Sequence, residues 1–408
     1  MFLTLNDFSQ DDGGTIRMRG IMNALAESGQ SVRLLSNTVL HYKFHHTIDH
    51  VFLDYQVSKR KKQFFQLSLT LLPRVINKYI FKNFLLKIKS IIQENNIDNS
   101  SIIFFEYLDN SVGYFLKQNG LLENYINDLH GIAPLEFKLK KTTTLFERFI
   151  NYVKFKLVLM LDQKVITNAS ELLFLSTAMK VYYETLYPSI KKHTNKVLRD
   201  GVSKELCSQN IDKKQVQVLR RKYNIDENLK VILFLGDFKD LGGVIDLIEA
   251  FKLLLDKEKI SRLRLLLVGS GERFLDAQIL VKKYSLEDKV LFAGRIDYTE
   301  VRNYQELANV IVCPDKQHQF SELIPHIKYF DAITSGKIVI NGSFASVQEI
   351  NISQMYSIDF KPSDIFNLAD KIEYVFQNLD YLQSKYSYNP KTACAFLSYN
   401  QTIQVLLD

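Results

Sequence analysis

Short apolar runs rich in β-branched residues recur through the second half of the chain, and each is separated from the next by one stretch of helical periodicity. The runs are KVILFLG (230–236), LRLLLVG (263–269), KVLFAG (289–294), NVIVCP (309–314) and KIVIN (337–341). They are apolar throughout rather than alternating with polar residues, which is typical of parallel strands covered by helices on both faces. The pattern therefore predicts a doubly wound parallel sheet.

The first half repeats this alternation less regularly. Strands are predicted within MFLTLNDF (1–8), SVRLLSN (31–37), SIIFFEY (101–107), YINDL (125–129) and ELLFLS (171–176). We predict an α/β protein of two Rossmann-like doubly wound domains, residues 1–202 and 229–385, joined by the polar linker region 203–228 and facing each other across a cleft. Ligands are expected at the carboxyl ends of the strands, where sheets of this kind bind them.

Composition agrees with a globular protein. Of the 408 residues, 46% are apolar and 24% are charged, which is normal for a chain with a sizeable core. The three cysteines are widely spaced, which argues against a disulfide scaffold or a zinc site and is typical of a reducing compartment. The first residues lack the features of a signal peptide, and no run has the length of a membrane span. We expect a cytoplasmic protein, peripheral on the inner face of the plasma membrane.

Positive charge is concentrated in the first domain. Residues 1–200 hold 26 Lys and Arg against 18 Asp and Glu, whereas the remainder holds 26 against 27. The basic segment 59–89 alone carries nine basic residues and no acid, interleaved with Phe, Leu and Ile. Such a segment is typical of a surface that lies on anionic lipid, although a solvated helix face packed on its own domain is the alternative. Nucleic acid is not an expected partner, because no recognition module accompanies the charge.

Four turns that contain glycine or histidine follow predicted strands. They are DDGGT (11–15), NDLHG (127–131), VGSGE (268–272) and FAGRI (292–296). Glycine lets the backbone approach a phosphate closely, and a helix start beside it offers free N–H groups. A neutral imidazole can polarise a hydroxyl group near pH 7. A packing turn or a surface loop is the alternative explanation of these turns.

The segment SELIPHIKYFDAITSGKIVI (321–340) is predicted to form a helix that ends at Gly336, followed by a buried strand. Two acids, Glu322 and Asp331, lie in the helical part. Taken alone, two acids on one helix are explained by solvation or by capping. A carboxylate is also well suited to a diol, since it is an acceptor only and can take two hydrogen bonds at once.

Together these segments resemble the GT-B glycosyltransferases, specifically the large retaining group numbered family 4. The resemblance covers most of the chain and is strongest from Val231 to Ile350. It implies that the amino-terminal domain binds the acceptor and that the carboxy-terminal domain binds a nucleotide-diphosphate-sugar donor. It also implies that residues 386–408 form a helix that crosses back to the first domain, and that the reaction requires no metal or other cofactor.

In the first domain, the resemblance gives roles to two of the turns. Gly13 and Gly14 would contact the phosphates of the donor, and His130 would lie near the reacting sugar on the acceptor side. The basic segment belongs to the same domain, which is consistent with a glycan or lipid-linked acceptor.

In the second domain, the resemblance places Gly269 under the donor and lets the main chain at Arg295 and Ile296 meet the nucleotide base. The family has one acid at the start of the helix and a second acid eight residues later. Asp331 aligns with the second acid, which accepts hydrogen bonds from the ribose. Glu322 stands nine residues before it instead of eight, and would contact hydroxyl groups of the transferred sugar.

One part of this chain departs from the family. The family has an arginine and a lysine that neutralise the diphosphate, but Asp237 and Gly242 stand at their positions. Losing one such donor commonly costs about 3–4 kcal/mol of transition-state stabilisation. Lys239 is the nearest cation and is the predicted phosphate ligand. The other cations that could substitute are Arg295, Arg199 and Lys328.

We therefore predict a retaining glycosyltransferase of hexosyltransferase type, acting in bacterial-type cell-surface polysaccharide synthesis such as that of lipopolysaccharide or capsule. Two alternatives stay open. The first is a degenerate, non-catalytic GT-B subunit that binds a glycan or a partner protein. The second is a GT-B sugar-nucleotide epimerase, whose expected serine-rich and acid-rich active-site pattern is not evident.

Overall fold

The computed structural model describes residues 1–5, 13–38, 43–55, 57–97, 102–138, 144–208 and 210–407, with the backbone alone at 105–107 and 205. The chain forms two compact units. The first contains Met1–Arg199 together with the end of the chain from Thr402, and the second contains Asp200–Gln401.

The first unit is built on a seven-stranded sheet. Its strands are β1 (Phe2–Leu3), β2 (Arg33–Ser36), β3 (Asp49–Phe52), β4 (Ile102–Phe105), β5 (Tyr125–Leu129), β6 (Glu171–Phe174) and β7 (Thr194–Val197). They lie in the order β3-β2-β1-β4-β5-β6-β7, and all neighbours pair in parallel. The helices are α1 (Gly13–Glu27), α2 (Lys59–Leu71), α3 (Arg74–Ile80), α4 (Lys82–Glu94), α5 (Glu106–Gln118), α6 (Ala133–Lys138), α7 (Leu145–Asn168) and α8 (Thr177–Leu186), with a 3₁₀ turn at Pro188–Lys192.

The second unit is built on a six-stranded parallel sheet in the order β10-β9-β8-β11-β12-β13. Its strands are β8 (Lys230–Leu235), β9 (Leu263–Val268), β10 (Val290–Gly294), β11 (Val310–Cys313), β12 (Ile338–Gly342) and β13 (Ile358–Phe360). Strand order reverses between β8 and β11, which makes the carboxyl ends of these two strands the topological switch point.

The helices of the second unit precede, separate and follow its strands. They are α9 (Lys204–Ser208), α10 (Lys213–Lys222), α11 (Val244–Asp256), α12 (Phe274–Lys283), α13 (Val301–Glu306), α14 (Gln319–Leu323), α15 (Ile327–Ile333), α16 (Ala345–Gln348), α17 (Ile365–Gln377), α18 (Leu379–Tyr386), α19 (Asn389–Phe396) and α20 (Tyr399–Thr402). Short 3₁₀ turns occur at Asp240–Gly242, Tyr298–Glu300 and Ile352–Gln354. The last helix of the chain is α21 (Gln404–Leu407).

The core of the second unit explains why its strands are apolar throughout. Along β8, Ile232 and Phe234 pack into one buried cluster, whereas Val231 and Leu233 pack into another. Successive side chains of a strand point to opposite faces, so a sheet with a core on each side needs an apolar residue at every position. The prediction of two doubly wound α/β domains is confirmed.

The polar segment 203–228, predicted as a linker, contains α9 and α10 within the second unit. On α10, Val216 and Leu219 are buried in the core of that unit, while the remaining positions are largely basic and exposed. The segment is polar because a surface helix needs only one apolar stripe.

The end of the chain, predicted as one helix over 386–408, forms short separate helices from Asn389 onward. The helical pattern is interrupted where Ser398 forms an isolated bridge with Val202. A disulfide joins Cys207 of α9 to Cys394 of α19, which are 187 residues apart. The spacing of the cysteines did not predict this pair, because only the packing of α9 against α19 brings them together. No helix in the described ranges is long and apolar enough to cross a membrane.

Candidate functional site

Three adjacent strands of the second sheet end in glycine at the carboxyl edge. Gly236, Gly269 and Gly294 follow or close β8, β9 and β10, and the Gly269 N–H donates to the Gly294 carbonyl over 2.8 Å. Gly269 has φ +135°, and a Cβ there would lie 1.9 Å from the Gly236 carbonyl oxygen. Position 269 therefore requires glycine for packing, and this edge presents bare backbone rather than side chains.

The loop after β8 holds the positions where the family has its two cations. Asp237 and Lys239 are exposed and form an ion pair with 3.1 Å between Nζ and Oδ2. Gly242 is buried, and a Cβ there would lie 2.9 Å from the Asp237 carbonyl oxygen. The next residue, Gly243, has φ +69°, and its Cβ would meet the Pro314 carbonyl oxygen at 1.7 Å. A side chain at position 242 would therefore require the turn to shift.

A second lysine lies at the switch point. Lys328 donates from Nζ to Asp315 Oδ1 over 2.8 Å, and both side chains are largely buried. Its aliphatic part passes beside Gly236, since a Cβ at that glycine would lie 3.4 Å from Lys328 Cδ. His326 Nε2 lies 3.9 Å from the same carboxylate oxygen. Burial lowers the pKa of His326, and the nearby Lys328 and Lys239 lower it further, against the opposing effect of Asp315.

The segment predicted as one helix after Ser321 is two helices, so that prediction is wrong. Helix α14 ends at Leu323 and α15 begins at Ile327. Ile324 is extended, with φ −127° and ψ 115°. The cause is Pro325, which disfavours helical backbone at the residue before it and has no N–H of its own.

Glu322 lies in α14 and binds two neighbouring groups. Its Oε1 accepts from Gln317 Nε2 over 2.7 Å, and its Oε2 accepts from the Ala345 backbone N–H over 2.8 Å. Each carboxylate oxygen can accept a further hydrogen bond. Glu322 therefore joins α14 to the start of α16 and keeps acceptor capacity for a ligand.

Asp331 lies in α15 and its side chain is buried, with 7% of its surface exposed. The Tyr298 hydroxyl donates to Oδ1 over 2.9 Å, whereas Oδ2 accepts no hydrogen bond from any residue in the described part of the chain. Burial raises the pKa of Asp331 to about 7, although the Tyr298 hydrogen bond and the charge of Arg302 oppose this shift. The carboxyl group is held in one orientation with one oxygen available to a hydroxyl donor.

Arg302 fixes the surroundings of Asp331. Its buried guanidinium donates to the Leu206 carbonyl over 2.8 Å from Nη2 and to the Thr334 carbonyl over 2.5 Å from Nη1. It thereby joins α9, α13 and the end of α15. Neither Arg302 nor Tyr298 was identified from the sequence, because no short motif marks a contact between residues about 30 positions apart.

The predicted base-binding loop follows β10 directly. The side chain of Arg295 is exposed, and Ile296 is partly buried against the core. Tyr298 stands two residues later and contacts Asp331. The structure thus brings the predicted base loop and the predicted ribose carboxylate together, at the same sheet edge as Gly269.

In the first unit, Gly13 and Gly14 are the first two residues of α1, while Asp11 and Asp12 lie outside the described residues. Arg17, three residues after Gly14, forms a buried ion pair with Asp128 near the end of β5. Arg17 Nε donates to Asp128 Oδ2 over 2.9 Å, and Nη2 donates to Oδ1 over 2.6 Å. His130 follows β5 two residues after Asp128. The pair therefore fixes the start of α1 beside the strand end that carries His130.

The basic segment 59–89 forms α2, α3 and the first part of α4. Phe65 and Phe84 are buried, so part of the segment packs on its own domain. On the seven-residue helix α3, in contrast, Val75 is 78% and Tyr79 is 81% exposed. Apolar and basic side chains are therefore both presented to solvent on α3.

Residues 215–392 match the family model described as Glycosyl transferases group 1. A curated relative, the N-acetyl-alpha-D-glucosaminyl L-malate synthase of Bacillus anthracis, is 33% identical over 85 residues. This match covers 21% of the present chain and 22% of that protein, so the chain spans about a fifth of the length of this relative.

Solved structures resemble the whole chain. Sucrose-phosphate synthase from Thermosynechococcus elongatus has a TM-score of 0.73 at 18% identity, covering 100% of this chain and 96% of that one. HepE of Anabaena, solved in complex with UDP-glucose, has a TM-score of 0.68 at 15% identity, covering 100% of this chain and 98% of that one. The chain thus has the GT-B fold, and the match to the glycosyl transferases group 1 model lies within its second unit.

Proposed function

We propose that the protein is a retaining glycosyltransferase of family 4 that transfers a sugar from a nucleotide-diphosphate sugar to a hydroxyl group of a glycan or lipid-linked acceptor. The observation that carries the proposal is Asp331. Its carboxyl group is held by Tyr298 beside the loop after β10, with Oδ2 available, in the part of the chain that matches the family model. The likeness to HepE, which was solved with UDP-glucose, supports a donor of this class.

In this proposal the second unit binds the donor. Asp331 accepts a hydrogen bond from the ribose, since a carboxylate is an acceptor only. The bare backbone at Gly269 lets the nucleotide lie close to the strand ends, and Arg295 and Ile296 offer main-chain groups to the base. Glu322 accepts hydrogen bonds from the hydroxyl groups of the transferred sugar.

The chemical step needs positioning and charge stabilisation more than a protein nucleophile. The bond between the anomeric carbon and the phosphate oxygen breaks, and a bond to the acceptor oxygen forms on the same face of the sugar. The acceptor proton passes to the released diphosphate. His130, on the acceptor-binding unit, would polarise a hydroxyl group near the reacting centre. The step as written uses no metal or other cofactor.

We test this function with purified protein and a panel of UDP-, GDP- and ADP-linked sugars. Calorimetry is expected to detect one nucleotide class, and NMR of the product is expected to show a retained anomeric configuration. Replacing Asp331 by Ala is expected to weaken donor binding about 10- to 100-fold, as for the loss of charge-assisted hydrogen bonds. If the protein binds none of these sugar nucleotides, the proposal is wrong.

The rival function is a non-catalytic GT-B subunit, and a specific observation favours it. Asp237 and Gly242 replace the family's two cations, and a Cβ at position 242 would lie 2.9 Å from the Asp237 carbonyl oxygen. Binding of a sugar nucleotide without hydrolysis or transfer, in the presence of a range of glycan acceptors, would support this rival over the enzyme.

We further propose that the basic segment docks on anionic lipid through α3. Val75 and Tyr79 are exposed beside Arg74 and Lys78, and a basic surface with exposed apolar side chains suits such a membrane. Flotation with vesicles of phosphatidylcholine and phosphatidylglycerol tests it. Replacing Val75 and Tyr79 by Ser should release the protein from the vesicles.

The matched control for vesicle binding replaces Leu275 and Phe366 of the second unit by Ser. These side chains are 69% and 72% exposed, but they lie in the half of the chain without basic excess. Equal loss of binding in both variants, or retained binding in the α3 variant, would contradict a specific lipid surface on α3.

A further inference from the structure

We infer that Lys328 supplies the positive charge that binds the sugar-linked phosphate of the donor, in place of the family's missing cations. The inference rests on the proposed function and adds a residue to it. Lys328 stands in α15 between His326 and Asp331, and its role depends on where the fold places its ammonium group.

Lys328 reaches the switch point of the sheet. Its Nζ lies 2.8 Å from Asp315, two residues beyond the end of β11, and 5.4 Å from the centre of the Phe234 ring in β8. Its aliphatic chain passes beside Gly236, the residue after β8. The ammonium group is therefore held between the carboxyl ends of the two strands where a doubly wound sheet binds its ligand.

The nearby Lys239 is a weaker choice. Its side chain is 73% exposed and its charge is matched by Asp237. Exposed ion pairs of this kind hold a charge loosely and contribute little energy. The side chain of Lys328 is 16% exposed and is held by three contacts, so its charge is preorganised in a region of lower dielectric where it acts more strongly.

The groups around Lys328 have unused hydrogen-bonding capacity. An ammonium group has three donors, of which one is used by Asp315. The buried His326 Nε2 has no hydrogen-bond partner among the described residues. A buried polar atom without a partner is uncommon and calls for a ligand or an ordered water. A phosphate oxygen beside Lys328 would supply the missing partner.

The first test compares UDP with UMP, with ADP/AMP and GDP/GMP run in parallel, by calorimetry on the full chain. Lys328→Met should weaken UDP binding about 10- to 100-fold, as for the loss of one charge-assisted contact, and should weaken UMP binding much less. Lys337→Met is the matched control. Lys337 is 17% exposed and ion-paired to Glu306, but it precedes β12 at the opposite edge of the sheet.

A second variant separates a phosphate contact from a structural role. Removing Lys328 leaves Asp315 as a buried unpaired carboxylate, which can destabilise the protein by itself. The double variant Lys328→Met/Asp315→Asn removes both charges and should restore the melting temperature while UDP binding stays weak.

The outcomes distinguish the inference from the function on which it rests. Wild-type affinity for UDP in Lys328→Met, or full recovery of UDP binding in the double variant, would overturn the role of Lys328. Failure of the unmodified protein to bind UDP, ADP or GDP would instead remove the proposed function.

Discussion

Replacing Asp331 by Asn tests whether the buried carboxyl group is kept for function at a cost in stability. The pKa of Asp331 is about 7, against 3.8 for an unperturbed aspartate. Between these two pH values, the folded chain keeps a proton that the unfolded chain has released. The free energy of unfolding therefore falls as the pH rises from 3.8 to about 7, and stays lowered above that pH.

The size of this cost follows from the shift in pKa. Each unit corresponds to about 1.4 kcal/mol, so ionised Asp331 lowers the free energy of unfolding by about 4 kcal/mol above pH 7. Asn keeps the shape of the group and an oxygen for the Tyr298 hydroxyl, but carries no charge. We expect Asp331→Asn to stabilise the chain by about 1 kcal/mol at pH 4.5 and about 4 kcal/mol at pH 8.

Urea unfolding of both proteins at the two pH values measures the difference in stability, and calorimetry with UDP tests the proposed role of Asp331 in donor binding. Asp162 offers a matched control in the first unit. It is buried, accepts from the Tyr187 hydroxyl over 2.9 Å, and has its pKa raised to about 7 by burial. Asp162→Asn should give the same pH-dependent gain and leave UDP binding unchanged.

Two results would refute this reasoning about Asp331. If the gain in stability from Asp331→Asn does not increase between pH 4.5 and pH 8, then ionising the Asp331 carboxyl group does not destabilise the folded chain. Unchanged affinity for UDP in Asp331→Asn would show that the charge is not used by the ligand.

Three further predictions concern stability. Gly269→Ala should lower the free energy of unfolding by about 2–4 kcal/mol, because a Cβ would meet the Gly236 carbonyl oxygen and the backbone has positive φ. An unchanged urea midpoint would contradict this prediction. Arg17→Met should cost about 3–5 kcal/mol by leaving Asp128 buried and unpaired, with Asp128→Asn in the same background restoring part of the loss in thermal melts. Cys207→Ser should lower the melting temperature only under oxidising conditions, since the bond to Cys394 restricts the unfolded chain.

The strands could be predicted from the sequence where burial acts on both faces, as in β8 and β9. The short strands β3 and β13 were not predicted, because β3 has no buried position and β13 is only three residues long. β3 is half exposed along its length. Pro325 was visible in the sequence, but the helical spacing around it concealed the break between α14 and α15.

Candidate site residues could be proposed from the sequence where a short motif marks them, and not where they are recognised only by a contact with a distant partner. Asp331 stood out because of its distance from Gly336 in a familiar pattern. Contacts with residues 13 to 96 positions away are made by Tyr298, Arg302 and Asp315. A single sequence does not show which distant residues are in contact. The packing of the fold decides which of these side chains meet.

The two ends of the second unit lie side by side. Val202 accepts from the Tyr399 N–H and donates to the Leu397 carbonyl, and the Cys207–Cys394 bond lies just inside these contacts. Positions near residues 200 and 401 are therefore the ones at which to exchange the second unit between relatives. Chimeras built in this way would test whether the second unit alone determines which nucleotide sugar is bound, as the proposed function requires.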